Sequence, residues 1–387
     1  MNPPSAAISR PMSLVLDVVR FAAAGLVLLH HAAFEKFGVY LPWRLTQTGT
    51  EPVMAFFVLS GFVIAFAAET SDGTMSEFAL SRAARLLSVT IPALVLTVML
   101  DAFGRAIDPA LYGDHWGDAA TLANLAEPLS VQLAATATFA NEIWTLHLWP
   151  GTNSPFWSLG YEAVYYALFA IAYYQRGAWP RAIGLVVAGL VVGPKILLLM
   201  PVWLMGVGAW RLYKGVTVTP VAGAALCVAS LLAYVAFIGD DARDVLDRWT
   251  DIWTASLPAG LLGFSDHFLS NYASGALFTG GLIGLKGLEP ALEPLLTRSA
   301  RVIRAAAACT FSMYLFHYPL LYAFRAVAAF VLGRQDLAER SWATTAIVVL
   351  GTGGAIYLLA RVTEQRKSEL RLAMATMIAA LRRSAVA

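Results

Sequence analysis

Charge is the scarcest property of this 387-residue chain: 13% of its residues are Asp, Glu, Lys or Arg, against 58% hydrophobic. A soluble domain of this size needs far more charge to cover its surface, so that class is excluded. The net charge of +2 gives no reason to expect a nucleic-acid partner. Cysteine is nearly absent. Cys227 and Cys309 both lie in apolar stretches, read as small buried residues, and fit no metal-ligand spacing. No metal is expected. Also missing are a Walker loop, a dinucleotide fingerprint, a Gly-x-Ser-x-Gly elbow and a His-Glu-x-x-His pair. Covalent serine chemistry therefore has no signature.

What is abundant is apolar sequence in long blocks, with a mean hydropathy of +0.65. The blocks are continuous, neither striped as in amphipathic helices nor alternating as in barrel strands, so the spanning element is the helix. At the ~20 residues that a bilayer demands, the sequence predicts about ten spans. They run Met12–Phe34, Pro52–Glu69, Ala83–Phe103, Trp157–Gln175 and Pro180–Gly193, then Lys195–Tyr213, Thr219–Ile238, Phe268–Leu288, Ala305–Val331 and Trp342–Thr363. The fifth and sixth are separated only by Gly193-Pro194-Lys195. Ala119–Ala140 is interrupted by Glu127-Pro128 and reads as a loop or interfacial helix. The first apolar stretch holds Asp17 and Arg20 and lacks a small-residue cleavage signal, so it reads as a retained span.

Basic residues favour one side of this arrangement. The inner side collects Arg10, Arg82, Arg85, Arg176, Arg181, Arg211, Lys214, Lys286, Arg298, Arg301 and Arg304. The outer side has fewer, among them Lys36, Arg44, Lys195, Arg325 and Arg334. The expected fold is an all-α polytopic transmembrane bundle with both termini cytoplasmic. Residues 1–364 form its membrane domain, and the basic segment 365–387 is expected as an amphipathic helix on the inner lipid surface. The oligomeric state is left open.

Ionisable groups inside spans are costly and mark function by default. The first span carries Asp17, Arg20, His30 and His31. Arg20 and His31 share a face, ~16 Å apart along the axis, with His30 turned ~80° from Arg20. An imidazole there can serve as general base or acyl-accepting nucleophile. The plainer alternative pairs Arg20 with Asp17 and leaves His31 at the interface. Arg82 and Arg85, at i and i+3, can grip a phosphate or merely anchor the helix. Glu162, about a turn and a half into the fourth span, must be ion-paired or hold an altered pKa. His317 is a further imidazole inside a span, while His115, His147 and His267 read as surface residues of outer loops.

These pieces resemble the acyltransferase 3 family. The first-span pattern of an arginine and a histidine separated by ten residues is matched by Arg20 and His31 in LDVVRFAAAGLVLLHH. The second-span signature appears as FFVLSGFVIAF with Ser60, and the paired arginines as Arg82 and Arg85. The Trp-Ser-Leu-x-x-Glu motif is Trp157 to Glu162, the ninth-span match is SMYLFHYPL with His317, and the terminal glutamate fits Glu364 without its usual proline. The flanks of Glu162 are less polar than is usual in the family, and no esterase-like domain is appended.

The resemblance implies an acyl-CoA donor, most often acetyl-CoA, and transfer to a hydroxyl of a glycan or glycolipid at the bacterial cytoplasmic (inner) membrane. It implies catalytic roles for His31, Glu162 and Arg20, and donor-binding or pocket-lining roles for Arg82, Arg85, Trp157, Ser158, Ser60 and His317. The alternative is a proton-coupled transporter or flippase, in which the same buried charges form a path.

Overall fold

The computed structural model describes residues 7–42, 49–113, 119–239, 241–258, 261–333 and 340–384. His115, Arg44 and Arg334 lie outside them. Every long element is a helix, and there is no strand among the described residues. In chain order the helices are α1 (Arg10–Ala32), α2 (Glu51–Thr70), α3 (Met75–Ile107), α4 (Ala119–Ala126), α5 (Leu129–Ala137), α6 (Trp157–Tyr174), α7 (Ala178–Val192) and α8 (Pro194–Gly215). There follow α9 (Pro220–Gly239), α10 (Ala242–Thr254), α11 (Phe268–Ala307), α12 (Thr310–Leu332), α13 (Trp342–Thr345), α14 (Gly351–Val362) and α15 (Lys367–Ser384). A π-helical turn at Ala346–Leu350 joins α13 to α14.

The boundaries follow local chemistry. Ser9 Oγ accepts the Met12 amide at 3.0 Å and caps α1. Thr74 and Glu77 form a reciprocal capping box at the start of α3. Gly193, at φ 85°, separates α7 from α8, which opens on Pro194. The stretch around Glu127-Pro128 is indeed broken, into α4 and α5.

Seven helical segments among the described residues are long and apolar enough to cross a membrane. They are α1, α2, α3, α8, α9, α12 and the run from Trp342 to Leu381, so the chain is a polytopic helical bundle. The other three expected spans, α6, α7 and α11, do not meet that standard; α7 has only 15 residues. The expected eighth span ended at Leu288, but α11 continues as helix for 40 residues in all and carries Pro290 and Pro294 within it. Polar contacts hold this extension: Glu289 accepts from Ser9 Oγ at 2.5 Å and Tyr213 OH at 3.1 Å, and Arg304 pairs with Asp17.

The helices α2 and α8 pack through glycine. A methyl group on Gly61 would strike the Trp203 carbonyl, and one on Gly206 the Val58 carbonyl, so the two backbones meet directly. At the periphery, α9 buries only Gly223 and Phe237 and turns its apolar side chains outward, the surface that hydrocarbon requires.

Four residues placed on the outer side are shielded within the bundle, and of these His147 alone was expected at the surface. Lys195 is fully buried and lies 2.7 Å from the equally buried Glu142. His147, expected at the surface, is 18% exposed and sits 3.0 Å from both oxygens of that glutamate. Lys36 is buried with Nζ 2.5 Å from Tyr322 OH and 4.6 Å from its ring centre. Arg325 is buried within α12. A cation in a bilayer-sized bundle that finds a carboxylate or an aromatic face is stabilised inside, and spacing along the chain does not reveal that partner.

Candidate active site

A cavity of about 440 Å³ opens where α1, α2, α3, α6, α11, α12 and the start of α15 converge. Three cations line it, Arg20 from α1, Arg85 from α3 and Lys367 from α15, together with the ion pair of Asp17 and Arg304. Arg20 leans towards Asp17 at 3.7 Å, too long for a hydrogen bond. Arg20 thus has a carboxylate neighbour and still faces the cavity, while His31, which the plainer alternative left at the interface, pairs with the buried His317. Arg85 makes no ion pair or side-chain hydrogen bond among the described residues.

Arg82 behaves differently. It donates to Asp72 at 2.9 Å and to Ser81 at 2.9 Å, and does not line the cavity. Positions i and i+3 differ by ~60° around a helix, enough to send one guanidinium into the cavity and the other to a carboxylate.

The wall on α6 is a hydrogen-bonded set around Glu162. Its Oε1 accepts from Ser60 Oγ at 2.9 Å and from Tyr166 OH, one turn along α6. Trp203 Nε1 donates to Ser60 Oγ at 3.2 Å, which fixes that hydroxyl from the α8 side. Two donors on one oxygen hold the carboxylate rotamer, and Oε2 takes no hydrogen bond among the described residues. Ser158, a turn earlier, is 2.7 Å from Tyr314 OH, and both line the cavity. Trp157 lies behind this wall, stacked on Phe264 at 4.3 Å and edge-on to the lining residue Phe57 at 6.2 Å.

Beyond Tyr314, one turn along α12, lies His317, fully buried. Its Nδ1 is 2.9 Å from the Tyr314 carbonyl and 3.0 Å from that of Met313. Carbonyl oxygens only accept, so Nδ1 carries the proton and Nε2 of the neutral ring is an acceptor. That Nε2 lies 2.9 Å from Nδ1 of His31, which must therefore donate. The chain of donors leaves His31 Nε2 with its lone pair, the form needed by a general base or nucleophile. Tyr318 packs on the His31 ring at 4.7 Å.

Thus Arg20, Ser60, Arg85, Ser158 and Glu162 share one cavity, and His31 and His317 pair just past its Tyr314 wall, while Arg82 and Trp157 sit behind the lining. Sequence reasoning passed over Tyr166, Tyr314, Arg304 and Lys367. Tyr166 is at i+4 from Glu162 and Tyr314 at i−3 from His317, so helical spacing from a known site residue was the available signal. Glu364 lines the cavity too and accepts the Phe311 and Ser312 amides at 3.3 and 2.9 Å, capping α12 from a distant helix.

A family model described as an acyltransferase domain, acyltransferase 3, matches residues 14–360. The chain belongs to the acyltransferase 3 family. The protein is thus a membrane acyltransferase of that family, and the matched span contains every helix of the bundle from α1 into α14. No curated protein and no solved structure matches the chain.

Proposed function

We propose that this acyltransferase moves a short acyl group, acetyl, from acyl-CoA to a hydroxyl of a glycan or glycolipid acceptor at the bacterial cytoplasmic membrane, its termini cytoplasmic. The reading rests mainly on one observation: a cavity lined by Arg20, Arg85 and Lys367 has Tyr314 in its wall, and one turn further along α12, outside that lining, His317 pairs with His31 so that His31 Nε2 is left with its lone pair. Clustered cations favour the phosphates of coenzyme A, and the guanidiniums offer paired donors to them. The ~16 Å between Arg20 and His31 along α1 is of the order of an extended pantetheine arm.

In the chemical step His31 Nε2 takes the acceptor hydroxyl proton as the oxygen attacks the thioester carbonyl. The tetrahedral adduct then expels coenzyme A thiolate, which recovers the proton from the imidazolium. His317 accepts the Nδ1–H of His31 throughout and stabilises the charge that develops on that ring. Glu162, fixed by Ser60 and Tyr166, supplies a negative potential in the same cavity. The topology is supported by the burial of Lys36, Lys195 and Arg325, which leaves still fewer basic residues on the outer surface.

The test is coenzyme A release from acetyl-CoA by the purified protein in nanodiscs, with donor binding measured on the same samples. Turnover that disappears in His31→Ala while donor binding persists is the expected result. Absence of donor binding in the unaltered protein would overturn the reading.

A further inference from the structure

Helix α10, ARDVLDRWTDIWT, is built back to front for a helix packed on a soluble protein. Its side towards the bundle is polar. Arg243 bonds Glu51 at 2.6 Å, Asp247 lies 3.2 Å from His267 Nδ1 and 3.7 Å from Arg243, and Thr250 is fully buried. Its large apolar residues point away: Val245, Trp249, Ile252 and Trp253 are 39%, 50%, 66% and 59% exposed. At ~100° per residue these four fall within a ~100° arc. Asp244, Arg248 and Asp251 are exposed and occupy a separate arc on the remaining side.

The helix therefore has three faces, one for protein, one for water and one for something apolar. What covers the third face follows from its neighbour. α9 ends at Gly239, three residues before α10, carries no charged side chain, and is apolar and outward-facing enough to be a lipid-exposed span. A helix starting within three residues of such a span begins at the edge of the hydrocarbon, where tryptophan is favoured. The Glu51 contact places it at the end of the bundle where α2 begins. Gly49, two residues earlier, sits against His30, so this is also the end that holds His31.

We propose that α10 is a membrane-interface anchor, lying in the headgroup region with Trp249, Ile252 and Trp253 in the acyl boundary and Asp244, Arg248 and Asp251 in water. Its partner is the lipid bilayer. Through Arg243 and Glu51 the anchor holds the first turn of α2 at a fixed depth, and α2 carries Phe56, Phe57 and Ser60 of the cavity wall.

The experiment is accessibility of a nitroxide attached at Ile252→Cys or Asp244→Cys in the full chain reconstituted in lipid, with Cys227→Ser and Cys309→Ala removing the other thiols. Both sites are exposed, so neither label disturbs packing. The expected result is a severalfold higher ratio of oxygen to water-soluble nickel-reagent collisions at Ile252 than at Asp244. Equal access of the nickel reagent to both sites would overturn the proposal by showing the stripe in water. Exclusion of both reagents at Ile252, with spin–spin broadening between labels, would put a second copy of the chain there and overturn it equally.

Discussion

Replacing His317 with Phe keeps a ring of similar size in a fully buried position but removes the acceptor for His31 Nδ1–H. In the resting site that bond is neutral, worth about 0.5–1.5 kcal/mol, whereas against a forming imidazolium it is charge-assisted, worth about 1.5–3 kcal/mol. Only the difference, about 1–1.5 kcal/mol, acts on the chemical step. At about 1.4 kcal/mol per tenfold, kcat should fall about 5- to 12-fold, with KM for the donor unchanged because His317 lies beyond the cavity lining. Loss of the proposed base, in His31→Ala, should cost about 10²–10⁴-fold. The assay is thiol release from acetyl-CoA in nanodiscs, with thermal unfolding measured alongside. If His317→Phe matched His31→Ala at unchanged stability, His317 would itself be moving the proton, and the donor order derived from its carbonyl bonds would be refuted. A change below twofold would refute the hydrogen bond as a catalytic contact.

Four further outcomes follow from the same geometry. Arg85→Met should weaken donor binding about 10- to 140-fold, as loss of a charge-assisted contact worth about 1.5–3 kcal/mol implies, without changing the unfolding temperature. Arg82→Met should do the reverse, leaving binding near normal but lowering stability by stranding the buried Asp72; titration calorimetry and thermal melts distinguish them. Asn153→Ala should destabilise the protein by about 1–3 kcal/mol, because Asn153 Nδ2 donates at 2.9 Å to the Leu315 carbonyl, the group left without a helical donor by Pro319. Glu142→Gln should cost about 3–5 kcal/mol by leaving the buried Lys195 without its carboxylate, and Lys195→Met less, because Glu142 keeps His147 at 3.0 Å; denaturation in detergent of both variants and their double completes the cycle.

Helix existence was legible because a bilayer imposes a length and an apolar composition that no other environment demands together. Nine of the ten expected spans start or end within a few residues of a helix end, and the tenth, Ala83–Phe103, is the apolar middle of α3. What could not be read is where a polar segment continues as helix outside the apolar window. The extension of α11 past Leu288 looks like a loop by composition, prolines included, and is held by partners on α1 and α8 that the local sequence does not contain.

The same limit governs the site. The residues that line the cavity come from elements scattered between Asp17 and Lys367, and sequence spacing can place a charge on a helix face only to within one side-chain width. Arg82 and Arg85 show what that width conceals: both lie on one broad face of α3, yet Asp72 captures the first and leaves the second to the cavity. Lys36, Lys195 and Arg325 show it again, each counted as an outer charge and each buried. His31 is the opposite case. Its face was legible from ten intervening residues, but its protonation pattern depends on two carbonyls of a helix nearly 300 residues away, and that pattern leaves Nε2 with its lone pair, as the proposed role of base requires. A sequence motif therefore nominates the imidazole here, while the backbone of α12 decides which of its nitrogens can act.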